Sequence, residues 1–184
     1  MIKAKYALYL SLFLLFSCKN NTQKEANNLA IANAFVDAFY SFDSDSLQAV
    51  LSEAKTSQPE ILYYQKWAEC GHYEVMDRES PFEKNDSTVI FPVTVKDDLM
   101  SALQIDFNVT DTFKISIRNG KIQEVQTSSN DPDEYYAAKE WVKEHHPEFI
   151  EVACEGIWEG GPTPCDCIKG MVKGFRAMKE WETH

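Results

Sequence analysis

Hydrophobic and polar positions alternate most regularly between Ser101 and Thr127. Leu103, Ile105, Phe107 and Val109 take one phase, and Ala102, Gln104, Asp106 and Asn108 take the other. Phe113, Ile115 and Ile117 then alternate with Thr112, Lys114, Ser116 and Arg118. Period two sends successive side chains to opposite faces, so the stretch predicts strands of a half-buried sheet. Asn119-Gly120 predicts a two-residue type I′ turn, because both residues tolerate positive φ. Ile122 and Val125 belong to the returning strand, and their spacing predicts a bulge or a strand end. Thr88 to Lys96 is also strand-like, with Val89, Phe91, Val93 and Val95 in one phase. Pro92 inside it marks an edge or a bulge. His72 to Arg78 reads as a first strand, and Ser80 to Asp86 as a loop.

Helical spacing takes over on either side. Leu29, Ala32, Phe35, Val36, Phe39 and Phe42 form one stripe of a helix over Ala26 to Phe42. The acids and serines at 42–46 break it and offer N-caps for a short helix, Leu47 to Leu51. A third helix runs from Pro59 to Cys70, with Gly71 as its stop. Asp131-Pro132-Asp133-Glu134 predicts a helix start, and that helix runs to about His146 before Pro147. A short turn, Glu148 to Cys154, and a glycine- and proline-rich loop, Glu155 to Pro164, lead to a last helix, Cys165 to Glu182. Ile168, Met171, Val172, Phe175 and Met178 form its stripe. Gly170 and Gly174, four apart, let one face approach a neighbour closely. Helices followed by antiparallel strands give an α+β layout.

Composition adds an address. Residues 1–17 carry Lys3 and Lys5 and then an apolar run too short for a comfortable membrane span, ending in Leu15-Phe16-Ser17-Cys18. A small residue directly before a cysteine at this place resembles the lipobox of bacterial lipoproteins, although Phe16 is bulkier than usual there. That resemblance implies cleavage before Cys18 and a lipid on Cys18 that anchors the chain to a membrane of the bacterial cell envelope. The competing reading is an ordinary signal peptide with a chance cysteine. The polar residues 18–25 read as a flexible tether. Either way the folded part lies outside the cytoplasm, where disulfides persist. Cys70, Cys154, Cys165 and Cys167 remain. A Cys165–Cys167 bridge would close a strained ring, so Cys154 is expected to pair with one of these two and Cys70 with the other. The net charge of −11 argues against nucleic acid as a partner. Hydrophobic residues at 44% and aromatics at 12% suffice for one ordinary core.

Three stretches together are similar to the nuclear transport factor 2-like superfamily, including its SnoaL-like branch. They are ANAFVDAFYSFDSDSLQAVLS, the helix end from Tyr63 to His72, and FKISIRNGKIQEVQT. The resemblance covers about residues 26–128. It implies a cone-like curved antiparallel sheet covered by N-terminal helices, with a pocket between helices and concave sheet. The domain would span 26–130, and 131–184 would be an added helical tail packed on the same domain. Members include hydrolases, isomerases, cyclases and non-catalytic binders, so the fold alone does not fix the function.

Tyr40, Tyr63, Tyr64, Trp67 and Phe107 are the candidate pocket aromatics, against the plainer reading that they fill the core. Asp106 and His72 are the candidate catalytic groups: a buried strand carboxylate acquires a raised pKa suited to proton transfer, and a histidine titrates near neutrality. The plainer readings are a solvated outer face for Asp106 and Gln104, and a helix-end role for His72. His145, His146, Cys154, Cys165 and Cys167 offer zinc donors, but their spacing matches no common zinc pattern, and no metal is expected. Gly-x-Ser-x-Gly, a phosphate-cradling glycine loop, His-Glu-x-x-His and a dinucleotide fingerprint are all missing from the sequence, and no cofactor is expected. The leading expectation is a lipid-anchored envelope protein that binds a small apolar ligand or a protein partner without catalysis. The alternative is a SnoaL-like isomerase, cyclase or hydrolase that uses a pocket carboxylate or histidine.

Overall fold

The computed structural model describes residues 23–25, 27–157 and 164–183. The expectations for residues 1–17 and for Cys18 lie outside these residues. Residues 23–25 and 27–40 are helical, and we label 27–40 α1. Then come α2 (Ser44–Val50), α3 (Gln58–Cys70), β1 (Glu74–Arg78), β2 (Phe82–Asn85), β3 (Thr88–Lys96), α4 (Asp98–Leu103), β4 (Val109–Arg118), β5 (Lys121–Ser129), α5 (Asp133–His145), a 3-10 turn (Pro147–Phe149) and α6 (Pro164–Glu182).

The sheet is antiparallel, open and five-stranded. Its long middle strands are β3 and β4, in unbroken register from Thr88↔Ser116 to Val95↔Val109. β5 lies on the far side of β4. The other side of β3 is shared: β2 pairs with its first residues, up to Ile90, and β1 with its last, from Val93. Pro92 falls in the gap between them, where the ladder on that side is interrupted, so the ring that removes an N–H sits where it does least harm. Asn119 and Gly120 both have positive φ, 53° and 71°, as the tight turn requires. Register then shifts so that Gln123 has no partner, which is the bulge expected from the broken alternation.

One face of the sheet is buried. Val89, Phe91, Val93 and Val95 of β3 meet Val109, Phe113, Ile115 and Ile117 of β4 there. α1 lies on this face with Phe35 and Phe39 against Phe113, ring centroids 5.3 and 5.0 Å apart. α3 crosses α1, and the buried Gln65 donates to the carbonyls of Ala38 and Phe39, 3.0 Å each, satisfying acceptors left over at the end of α1. Phe42, expected inside the first helix, has left it with φ 57°.

Two expectations are corrected. The alternation from Leu103 to Phe107 does not make a strand. Asp97 caps α4 through Oδ1, which accepts from the N–H groups of Leu99 and Met100 at 2.7 and 2.9 Å. Leu99, Met100, Ala102 and Leu103 are all buried, which a helical turn achieves and a two-faced strand cannot. Gln104 ends the helix in the left-handed region, and the strand begins only at Val109. The second correction is β2, which falls in the stretch expected to be a loop. Only Phe82 in it is a large apolar residue, and that side chain stays exposed, so no inward phase marks the strand.

The C-terminal segment packs on the rest. α6 lies against α3, α4, α5 and the 3-10 turn. Disulfides join Cys70 to Cys165 and Cys154 to Cys167. The first ties α6 to the end of α3. The second ties it to the turn after Ile150.

Candidate functional site

The inward phase of β4 runs Val109, Asp111, Phe113, Ile115, Ile117, and one of these five is an acid. Asp111 is fully buried. Its Oδ2 accepts from the Tyr40 hydroxyl of α1 at 3.0 Å, and its Oδ1 from the Tyr64 hydroxyl of α3 at 2.5 Å. Tyr40 packs edge-on to both Phe39 and Phe113, which fixes the ring and so the donor. Two helices and the sheet therefore meet at one carboxylate.

Burial disfavours its charged form and raises its pKa to about 6; the two tyrosine hydrogen bonds pull it back, and nearby Asp131 and Asp97 push it up again. Burial and the Asp111 charge push Tyr40, Tyr64 and Tyr73 all above the usual phenol value, so these hydroxyls keep their protons. Asp111 is thus one acceptor shared by two permanent donors, Tyr40 and Tyr64.

Beside it opens a cleft of about 270 Å3, lined among others by Tyr64, Trp67, Tyr73, Asp97, Asp131 and Tyr135. Tyr64 belongs to both, with its hydroxyl on Asp111 and its side chain in the cleft wall. Asp97 is buried, and burial raises its pKa against the opposing pull of the Met100 and Leu99 N–H groups. Asp131 accepts from the Ser129 hydroxyl at 2.7 Å. Among the described residues no lysine, arginine or histidine lines the cleft. Its walls are aromatic and its charge is negative, so an anion is repelled there and a ring or a cation is accommodated.

Of the five aromatics singled out from sequence, Tyr64 and Trp67 line this cleft, and Tyr40 stands behind it on Asp111. Tyr63 and Phe107 do not line it. Phe107 is half-buried in the loop before β4, and Asp106 is exposed in the same loop. His72 is exposed and its Nδ1 is 2.7 Å from Asp98 Oδ2, outside the cleft. The structure thus brings neither Asp106 nor His72 to the Asp111 cluster. His145 Nδ1 lies 2.9 Å from the Trp141 carbonyl, His146 stacks on Phe149, and Cys70, Cys154, Cys165 and Cys167 are spent in disulfides. Among the described residues no group of three His, Cys, Asp or Glu is arranged to hold a metal ion. Sequence reading passed over Asp111. The signal was present, an acid two residues from Val109 and two from Phe113 in the same phase.

The raised pKa has a signed consequence. A folded-state value of about 6 against an ordinary 3.8 means that the folded chain binds this proton more tightly than the unfolded chain. The group's stabilising contribution is then complete below about pH 4 and is lost as pH rises to about 6, a change of about 3 kcal/mol. Asp111→Asn keeps the shape and removes the titration. Urea unfolding at pH 4 and pH 7 is expected to show the stability difference, wild type minus variant, falling by about that amount. A difference that does not move with pH refutes the assignment.

No protein-family model matches the chain, and no curated protein matches it. Among solved structures, the crystal structure of a "known function protein" from Kribbella flavida DSM 17836 is similar with a TM-score of 0.42 at 9% identity. The likeness covers 61% of this chain and 95% of that one.

Proposed function

We propose that this chain is a lipid-anchored envelope protein of nuclear transport factor 2-like architecture that binds a small, largely apolar molecule in the aromatic cleft without catalysis. The ligand bears no negative charge, since the cleft presents Glu60, Asp97 and Asp131 and no base. One observation carries the non-catalytic reading: both oxygens of Asp111 are engaged by tyrosines and the side chain has no exposed surface. A general base needs an oxygen within hydrogen-bond reach of its substrate. Asp111 instead braces Tyr40 and Tyr64, and so the wall of the cleft. The proposed membrane anchor on Cys18 is supported by the basic start, the short apolar run, the Ser17-Cys18 junction and the polar stretch that follows.

A second reading has an observation of its own. A carboxylate that titrates at about 6, connected to the cleft by the Tyr64 hydroxyl, is suited to passing a proton in a SnoaL-like enzyme.

Native mass spectrometry of the exported, full-length protein separates the two. The expected result is a lipid mass on Cys18 and a non-covalent ligand that survives Asp111→Asn but is lost in Ser129→Trp, which fills the cleft from an exposed position of its lining, paired with Asp111 on the inward face of the sheet. Ligand retained by Ser129→Trp contradicts the cleft assignment. A ligand converted by the wild type and left unconverted by Asp111→Asn establishes the enzymatic reading instead.

A further inference from the structure

On the other side of α3 from the cleft, an open groove of about 740 Å3 runs between that helix and α6. The Cys70–Cys165 disulfide lies in its lining. The half-buried Phe149, Val172 and Ala177 give it an apolar floor, with the buried Ile168 beneath. Lys169, Lys173 and Arg176 also line it, spaced four and three residues apart, so they rise from one face of α6 along its length.

These charges are largely uncommitted. Lys173 Nζ sits 3.8 Å over the Phe149 ring. Lys169 reaches only Asp166, at 3.5 Å and with both side chains well exposed, a pairing that holds little. Arg176 has no ion pair among the described residues. The acids of the groove are mostly taken: Glu69 holds Lys66 at 2.7 Å, and Asp98 holds His72 at 2.7 Å. Glu180 remains, one turn beyond Arg176. In a chain of net charge −11, an apolar trough edged by weakly held cations is a local reversal of sign. Its size falls within the range of small-molecule sites.

We propose that this groove binds a long-chain carboxylate, with the chain laid on Phe149, Val172 and Ala177 and the head group held by Lys173 and Arg176. The apolar floor requires a tail and the cations require an anionic head; an alcohol or a quaternary ammonium of equal length satisfies only half of the site. This site is separate from the cleft and does not depend on what the cleft binds.

The test uses the processed full-length chain and 11-(dansylamino)undecanoate, whose fluorescence rises on leaving water. Dodecanoate is expected to displace the probe at a concentration at least tenfold lower than dodecanol, and dodecyltrimethylammonium to displace it no better than dodecanol. Lys173→Gln with Arg176→Gln, both exposed positions, should weaken the probe tenfold or more while the protein stays folded, with only the small fall in Tm that losing the Lys173–Phe149 contact brings. Ser129→Trp, which fills the cleft, should leave binding unchanged, which keeps this result independent of the cleft. Equal displacement by dodecanol overturns the proposal, as do unchanged binding in the double variant and a probe that never binds. Loss of charge-dependent binding to phosphatidylglycerol vesicles in the double variant, with no displacement by dodecanoate, also overturns it and makes the groove a membrane-facing surface.

Discussion

Gly170→Val is expected to lower the free energy of unfolding by about 3 kcal/mol, measured by urea denaturation at neutral pH. A Cβ at residue 170 would stand 1.9 Å from the carbonyl oxygen of Phe149 and 2.9 Å from its carbon. Those are backbone atoms of the 3-10 turn, and the disulfide from Cys154 to Cys167 holds that turn to α6 a few residues away. Neither side can give way cheaply. The helix propensity gained by replacing glycine, at most about 1 kcal/mol, does not offset the collision. Gly174 makes the instructive contrast. Its added Cβ would meet Val142 Cγ2 at 2.4 Å and Cγ1 at 2.7 Å, which are side-chain atoms of α5. Gly174→Ala should therefore destabilise on its own and recover much of the loss when combined with Val142→Ala. Gly170→Val has no such partner. If Gly170→Val melts with the wild type, the close seat of α6 on the turn is wrong.

Replacing Cys70 and Cys165 together by alanine is expected to reduce stability by about 4 kcal/mol in non-reducing buffer. The bridge spans a sequence separation of 95, and a closed loop of that length removes much freedom from the unfolded chain. The Cys154–Cys167 bridge spans only 13, and its removal should have a smaller effect, about 3 kcal/mol on the same argument. Paired removal avoids leaving a free thiol to exchange. Equal losses for the two pairs would show that strain or unfolded-state structure outweighs chain entropy here. No loss for the long bridge would show that α6 holds its place on α3 without it.

The hairpin of β4 and β5 was legible because three independent signals agree on it: strict alternation, Asn119-Gly120 and the break at Ile122 to Val125. The cysteine pairing was legible as far as geometry allows, with Cys70 and Cys154 each bound to one member of the Cys165-x-Cys167 pair. Helix α4 was not. Leu103, Ile105 and Phe107 alternate by chance, and the capping carboxylate of Asp97 decides the local structure from outside that window. The Asp111 cluster was half legible. Tyr40, Tyr64 and Trp67 stood out as aromatics, but the acid that organises two of them lies on another element. Its partners are 71 and 47 residues away, and local pattern says nothing about such separations. The groove on α6 is a product of tertiary packing alone, since its apolar and cationic residues read in sequence as an ordinary amphipathic helix.

Ser57 precedes α3, yet its buried hydroxyl accepts the N–H of Val125 from the outer side of β5, at 3.0 Å. β5 pairs with β4 on one side only, so that outer side is where a strand from another molecule would try to add. Such a strand meets an occupied donor in the middle of its intended ladder, with a helix end standing in the way. Growth of the sheet from one copy to the next is therefore blocked at the centre of β5, and a single serine hydroxyl, held there by the entry to α3, guards the chain against fibrous self-association.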